Sequence, residues 1–142
     1  MYIFVVGSPK TGKSTLAGTV ADALCWPVVA SDDWASSPWD DVPRLVRAAA
    51  LAHKHAVIEG VAVSRLLPGR TRLELAPSVA VWCRAPAALE QHIAYRGMTA
   101  WVMAQVLAFR RRYPGRVVEV SPRWQRPRPP RPTARPAPGL PL

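Results

Sequence analysis

The fold of this chain is decided by one stretch of eight residues, Gly7-Ser8-Pro9-Lys10-Thr11-Gly12-Lys13-Ser14. It satisfies the pattern G-x-x-x-x-G-K-[S/T] in full, and it lies between an apolar run at residues 2–6 and a segment with helically spaced apolar residues. The two glycines let the backbone turn tightly, so that consecutive N–H groups point inward, and the following helix adds the positive end of its dipole. The stretch therefore predicts a loop that binds phosphate groups.

The pattern also assigns contacts with a nucleotide to individual side chains. Lys13 is expected to reach the β- and γ-phosphates of a nucleoside triphosphate, and the Ser14 hydroxyl is expected to hold Mg²⁺. The nucleotide-binding residues are then Gly7, Ser8, Pro9, Lys10, Thr11, Gly12, Lys13, Ser14 and Thr15. The sequence has no Asn/Thr-Lys-x-Asp motif for reading guanine, which argues against a GTPase. By analogy with small kinases we expect ATP, with Mg²⁺, as the cofactors.

Short apolar runs alternate with helically spaced apolar residues along most of the chain. We expect strands at residues 2–6, 27–30, 56–58, 79–83 and 116–120. We expect helices at residues 13–24, 41–53, 87–95 and 100–112, with one helical turn at 63–67. Continuously apolar strands that alternate with helices are typical of a parallel sheet covered on both faces. The prediction is a three-layer α/β/α P-loop NTPase domain at residues 1–120 with a five-stranded parallel sheet.

Residues 121–142 differ in composition from the rest of the chain. They hold eight of the 16 prolines, five arginines and no acidic residue, which accounts for half of the net charge of +10. Such a segment buries little apolar surface, so we expect a flexible tail. Its arginines could bind nucleic acid, but they could equally dock on an aromatic groove or simply be solvated. The tail arginines are Arg123, Arg126, Arg128, Arg131 and Arg135.

The sequence also sets expectations about compartment. No stretch approaches the roughly 20 apolar residues of a membrane-spanning helix, and the N-terminus lacks the features of a secretory signal. Cys25 and Cys83, the two cysteines, lie in apolar surroundings without metal-ligand spacing, and we expect both in the core. We therefore expect a cytoplasmic protein without a membrane partner.

Acidic residues follow two of the expected strands. Asp32 and Asp33 come after the second strand, and Glu59 ends the third. Because the carboxyl ends of parallel strands share one edge of a sheet, these carboxylates should face the phosphate loop. A phosphotransferase needs one carboxylate to take the proton of the acceptor hydroxyl and another to help hold the metal. Helix caps and turns would also explain acidic residues at these positions.

Two segments around these carboxylates resemble a known family. Ser31-Asp32-Asp33-Trp34 resembles the Q-D-D-F-[FY] segment of the uridine kinase and nicotinamide riboside kinase group, and Val57-Ile58-Glu59-Gly60-Val61 resembles its V-I-V-E-G-I segment. With the phosphate loop, three motifs follow the order of that family over residues 1–67. This chain is much shorter than members of the group and has no room for their long acceptor-binding insert.

The resemblance implies roles for these residues. Asp32 would be the base that takes the hydroxyl proton, and Glu59 would lie near Mg²⁺ or the acceptor hydroxyls. Trp34 would line the acceptor pocket. Asp33 is also predicted to face the substrate, because its place after the second strand puts it at the same edge of the sheet. The expected metal ligands are Ser14 and Glu59.

An arginine is expected to complete the site, because phosphoryl transfer spreads negative charge that guanidinium groups stabilise. Arg96 lies in a segment, residues 96–99, that we predict between two helices. Small kinases such as shikimate and gluconate kinases carry a mobile lid in a comparable place, so Arg96 is the preferred lid arginine. Arg84, just after the fourth strand, is a weaker candidate.

Three functions remain open at this point. The first is an ATP-dependent kinase that phosphorylates a hydroxyl of a small, nucleoside-like metabolite. The second is a kinase acting on a terminal or base-borne hydroxyl of nucleic acid, with the basic tail holding the polymer. The third is a module that binds a nucleoside triphosphate without catalysis.

Overall fold

The first strand forms the centre of a five-stranded parallel sheet. The computed structural model describes residues 1–68 and 75–120, except for the side chain of Leu89. The strands are β1 (Tyr2–Gly7), β2 (Val28–Ala30), β3 (Ala56–Glu59), β4 (Val79–Cys83) and β5 (Val117–Val120). They pair in the order β2-β3-β1-β4-β5, and every pair is parallel. The predicted five-stranded parallel sheet is therefore confirmed, and the tail at 121–142 lies outside the described residues.

Helices cover both faces of this sheet. They are α1 (Lys13–Leu24), α2 (Val42–Leu51), α3 (Ala87–Glu90) and α4 (Arg96–Arg112), with 3₁₀ turns at Ser31–Trp34 and Ala62–Leu66. Side chains of a strand alternate between the two faces. In β1, Phe4 and Val6 pack in the cluster that contains α2 and α4, whereas Val5 packs against Ala17 and Ala21 of α1. None of the helices in residues 1–68 and 75–120 is long and apolar enough to cross a membrane.

The strand register brings three chain segments to one edge of the sheet. Glu59, the last residue of β3, lies opposite Val5 on one side and opposite Ala30, the last residue of β2, on the other. Gly7 of β1 lies opposite Cys83 at the end of β4. The segments that leave β1, β2 and β3 therefore emerge next to one another. These segments contain the phosphate loop, the Ser31–Trp34 turn and Gly60.

The region between α3 and α4 differs from its prediction. The helix expected at 87–95 ends at Glu90, and the next helix begins at Arg96 rather than at residue 100. His92 explains this change, because its ring Nδ1 accepts the Ala94 N–H at 3.2 Å and its carbonyl accepts the N–H groups of Tyr95 and Arg96, each at 2.9 Å. These bonds compete with continuation of the first helix and start the second. Arg96 therefore lies in the first turn of α4, not in a linker between helices.

The expectation for the two cysteines is half right. Cys83 is buried on β4, but Cys25 is exposed. Cys25 ends α1 in a left-handed conformation, with φ of 56°, and its backbone N–H bonds to carbonyls of the last turn. This position at the end of a helix turns the residue away from the core.

Phe4→Ala should lower the free energy of unfolding by roughly 3–5 kcal/mol, because it leaves a cavity at the centre of the sheet. Urea denaturation followed by circular dichroism measures the change. Ile93→Ala is the matched control, since Ile93 is also large and apolar but is 79% exposed. The control should change the free energy by less than about 0.5 kcal/mol. Equal losses in both variants would contradict the core described above.

Candidate active site

The loop after β1 presents free backbone donors to a cavity. The first hydrogen bond of α1 joins the Leu16 N–H to the Gly12 carbonyl at 3.1 Å, so the N–H groups of Lys13, Ser14 and Thr15 have no acceptor within the helix. Gly12 and Lys10 adopt left-handed conformations, with φ of 79° and 62°. For a lysine this conformation is strained, as is common where backbone is shaped for a ligand.

The cavity over this loop has a volume of about 280 Å³. Its lining residues are Pro9, Lys10, Gly12, Lys13, Ser14, Thr15, Asp32 and Val61. No acidic residue occupies the first turn of α1, so nothing on the helix itself offsets its positive end. Free N–H groups, a helix N-terminus and a lysine are the features that bind phosphate groups. Six of the nine predicted nucleotide-binding residues thus line one cavity, whereas Gly7, Ser8 and Thr11 do not line it.

Lys13 is held inside the loop by weak contacts. Its side chain is only 7% exposed, and its ammonium donates to the Ser8 carbonyl at 3.4 Å, a long hydrogen bond. The Thr11 hydroxyl donates to the same carbonyl at 2.8 Å and so braces the turn. Because the hydrogen bond from Lys13 to the Ser8 carbonyl is long, replacing that carbonyl by a phosphate oxygen as the acceptor costs little free energy.

Glu59 is a buried carboxylate in which only one of the two oxygens accepts a hydrogen bond from a described residue. It is 4% exposed, and Oε1 accepts a hydrogen bond from the Ser14 hydroxyl at 3.1 Å. Oε2 is buried without a hydrogen-bond partner among the described residues. Burial raises the pKa of Glu59, the Ser14 hydrogen bond and the Lys13 charge lower it, and the charges of Asp32 and Asp33 raise it further. A buried oxygen of this kind is costly unless something binds it.

The side chains of Glu59 and Ser14 are chemically suited to a Mg²⁺ ion. The available donors are the Ser14 hydroxyl and the Glu59 carboxylate, which are the oxygen ligands that Mg²⁺ prefers. Within residues 1–68 and 75–120 no group of three or more His, Cys, Asp or Glu side chains could hold a metal by itself. A Mg²⁺ site usually has one or two protein ligands and is completed by substrate phosphates and water.

The turn that carries Asp32 is locked against β3. Gly60 has φ of 137°, a conformation open essentially to glycine only. A Cβ at Gly60 would overlap the Ser31 hydroxyl and lie 2.7 Å from the Ser31 Cβ. Ser31 is itself buried and begins the 3₁₀ turn that contains Asp32. The close contact of Ser31 with Gly60 therefore holds the backbone of the turn that carries Asp32 next to the strand end that carries Glu59, while the Asp32 side chain itself is exposed.

A second cavity, of about 320 Å³, lies beside the first. Pro9, Asp32 and Val61 line both cavities, so Asp32 stands at their junction. The rest of the second cavity is mostly apolar, and its large side chains are Trp34, Trp39, Val42 and Met98. The resemblance implied Trp34, but the sequence offered no reason to select Trp39, Val61 or Met98. The only available signal was the high tryptophan content of so short a chain.

Other predicted residues lie near the two cavities without lining them. Asp33 is exposed, and its charge contributes to the raised pKa of Glu59. Arg96 is exposed at the start of α4, next to Tyr95, whose ring centre lies 5.6 Å from the Lys10 ammonium. These placements leave the roles of Asp33 and Arg96 as predictions.

The contacts of Arg84 and the burial of Cys83 explain these two residues without a ligand. The Arg84 guanidinium bonds Glu119 at 2.9 Å and lies 3.7 Å from Glu90, and the Glu119 hydrogen bond in particular raises its pKa. Arg84 therefore belongs to a surface ion-pair group that also includes Arg110. Burial raises the pKa of the Cys83 thiol to about 11, so this side chain stays neutral and packs below the loop.

Comparisons with known proteins show a likeness to solved structures but not to known sequences. No protein-family model and no curated protein matches the sequence. Among solved structures, shikimate kinase from Acinetobacter baumannii in complex with shikimate superposes with a TM-score of 0.50 and 14% identity. The match covers 84% of this chain and 83% of that chain. The likeness supports the fold, an α/β fold shared with a P-loop kinase, and the resemblance to the uridine kinase group stays a prediction.

Gly60→Ala should lower the free energy of unfolding by roughly 2–4 kcal/mol, because alanine combines a strained φ with overlap on Ser31. Gly97→Ala is the matched control, since a Cβ there meets nothing within 4 Å and lies in a helix. The control should raise the free energy by up to about 1 kcal/mol. Chemical denaturation measures both, and a Gly60→Ala variant as stable as wild type would refute the locked turn.

Glu59→Gln should raise the stability of the protein at pH 7 without nucleotide or Mg²⁺. Because burial raises the pKa of Glu59 in the folded state, its ionisation costs stability as pH rises above the ordinary value of 4.5. Glutamine does not ionise, so the gain should be larger at pH 7 than at pH 5 and should vanish below about pH 4.5. Thermal melts across this range measure it. A gain independent of pH would show that ionisation is not its cause.

Proposed function

We propose that this chain transfers the γ-phosphate of ATP to a hydroxyl of a small metabolite bound in the second cavity. One observation carries the proposal: Asp32 lines both the phosphate-loop cavity and the adjoining apolar cavity. A carboxylate at such a junction is close to both the phosphate to be transferred and the hydroxyl that receives it. A module that only bound a nucleotide would not need the second cavity.

The phosphate loop would hold the nucleotide in this reaction. The N–H groups of residues 13–15 and the Lys13 ammonium offer donors to the phosphate oxygens. Ser14 and Glu59 are the residues that would hold Mg²⁺, which supplies neutralisation of the phosphate charge when bound. Binding at Glu59 would also give the unpartnered Oε2 a ligand.

Asp32 would act as the base. In the proposed step the acceptor hydroxyl oxygen forms a bond to the γ-phosphorus, and the bond from that phosphorus to the β,γ-bridging oxygen breaks. The hydroxyl proton passes to the Asp32 carboxylate, and ADP carries away the electron pair of the broken bond. The close contact between Ser31 and Gly60 supports this role because it limits the backbone freedom of the turn that carries Asp32.

Arg96 is the candidate for stabilising charge on the transferred group. A cation at a helix N-terminus is unfavourable for the helix itself, which points to a use other than stability. Arg96 takes part in no ion pair among the described residues. Its neighbour Tyr95 touches Lys10 of the loop, and Met98 of the same helical turn lines the second cavity.

The size of the second cavity favours a small acceptor. About 320 Å³ lies at the lower end of the roughly 300–1,000 Å³ typical of ligand pockets. The rings of Trp34 and Trp39 suit a flat, nucleoside-like acceptor. The nucleic-acid alternative depends on residues 121–142, and no observation within the described part of the chain favours it.

A screen with γ-labelled ATP over nucleosides, sugars and cyclic alcohols tests the proposal. Lys13→Ala should abolish transfer, because it removes the cation that faces the β- and γ-phosphates. Asp32→Asn should lower kcat by about 10²–10⁴-fold with little change in the KM for ATP, as expected for loss of a general base. Asp22→Asn, at an exposed aspartate of α1 that lines neither cavity, is the matched control and should stay within about threefold of wild type.

The outcomes separate the three possible functions. Tight ATP binding without product from any acceptor would leave a non-catalytic binding module. Transfer that needs DNA or RNA as the acceptor would favour the nucleic-acid kinase. Near wild-type transfer by Asp32→Asn would show that Asp32 is not the base, and Asp33 would then be tested in its place.

A further inference from the structure

The described walls of the second cavity carry negative charge but no positive charge. Among the described residues, Asp32 is the only charged side chain in its lining, and no lysine, arginine or histidine takes part. The other walls are the indole rings of Trp34 and Trp39, several aliphatic side chains, and small residues. An anionic acceptor would therefore lose water beside a carboxylate and gain no cation from these walls, which is costly.

Trp39 forms an unusual part of this wall. It is 46% exposed although it is a large aromatic residue, and it belongs to the connection between β2 and α2 rather than to the core. Arg65, from the 3₁₀ turn after β3, holds it from a distant part of the chain. The Arg65 guanidinium donates to the Trp39 carbonyl at 2.9 Å and lies 5.5 Å from the centre of the Trp39 ring.

Arg65 does not supply the missing cation to the cavity. It is absent from the lining, and its guanidinium also pairs with the Asp40 carboxylate at 3.4 Å. Its charge is thus already engaged by a carbonyl, a carboxylate and an aromatic ring. Such contacts suit a residue that positions Trp39, because a planar guanidinium can stack on a ring and donate hydrogen bonds at the same time.

We propose that Trp39, positioned by Arg65, is a specificity-determining wall that selects ring-bearing alcohols without negative charge and rejects acidic ones. The inference rests on the proposed function, since it concerns the acceptor of the same reaction. An uncharged or cationic ring stacks on the indole and loses little hydration. An acceptor that carries a carboxylate meets an apolar wall on one side and Asp32 on the other.

Matched pairs of acceptors test the charge rule on the wild-type protein. Uridine and orotidine share their ribose hydroxyls and differ by a carboxylate on the ring. Methyl 4-(hydroxymethyl)benzoate and 4-(hydroxymethyl)benzoate have no ribose and differ in that a neutral methyl ester replaces the carboxylate. Where either member of a pair is phosphorylated, kcat/KM should be at least about tenfold higher for the uncharged member. The reason is that burying an unpaired charge costs more free energy than losing a single neutral hydrogen bond.

Variants of the wall test the residues. Trp39→Ala should raise the KM for the uncharged acceptor by about five- to tenfold, with kcat and the KM for ATP nearly unchanged, since stacking is lost in ground and transition states alike. Trp39→Phe keeps a ring and should recover most of the affinity. Arg65→Ala should raise the same KM by a smaller factor. Arg44→Ala, which removes an exposed arginine of α2 paired only weakly with Asp41 at 4.0 Å, is the matched control and should change neither KM.

The results distinguish failure of the inference from failure of the proposed function. Equal or better use of the acidic members, in a protein whose transfer still requires Lys13 and Asp32, would overturn the charge rule and leave the kinase intact. An unchanged acceptor KM in Trp39→Ala would overturn the role of Trp39. Absence of transfer to every compound, with ATP still bound, would instead refute the kinase and with it the inference.

Discussion

The hydrogen bond between the Ser14 hydroxyl and the Glu59 carboxylate joins the two halves of the site. Ser14 belongs to the phosphate loop after β1, and Glu59 ends β3, the neighbouring strand in the sheet. The bond can form because the parallel register sets Glu59 opposite Val5, two residues before the loop begins. Gly60 then packs on Ser31, so the same strand end also positions the turn that holds Asp32.

This arrangement is unfavourable for stability in several places. Glu59 has a buried oxygen without a partner among the described residues, and Lys10 adopts a left-handed conformation. Each feature costs on the order of 1–3 kcal/mol in other proteins. The sheet beneath them offsets the cost, because Phe4, Val5 and Ile58 are fully buried between the helical layers. A bound cation would give the Glu59 oxygen a ligand, and strained backbone is common at ligand sites, so both features support the phosphate-loop edge as the functional site.

The two cavities differ in chemistry although they share three lining residues. The first is formed by free N–H groups, Lys13 and Ser14, and it suits a polyanion. The second is formed by indole rings and aliphatic side chains, and it suits a ring with little charge. Asp32 lies between them, so in the proposed reaction a single carboxylate would face both the polyanionic nucleotide and the weakly charged acceptor.

The sequence by itself determined the phosphate loop, the five strands and the positions of Asp32 and Glu59 at the carboxyl ends of their strands. These features depend on local patterns, namely a glycine-rich turn and apolar runs, whose geometry needs little help from distant residues. The start of α4 was missed because the His92 ring bonds to the Ala94 backbone, a choice that apolar periodicity does not reveal. Only the tertiary structure decided that Trp39, Val61 and Met98 share a cavity, or that Arg65 holds Trp39. Those contacts join segments that lie far apart in the chain, and only packing on a common sheet brings them together.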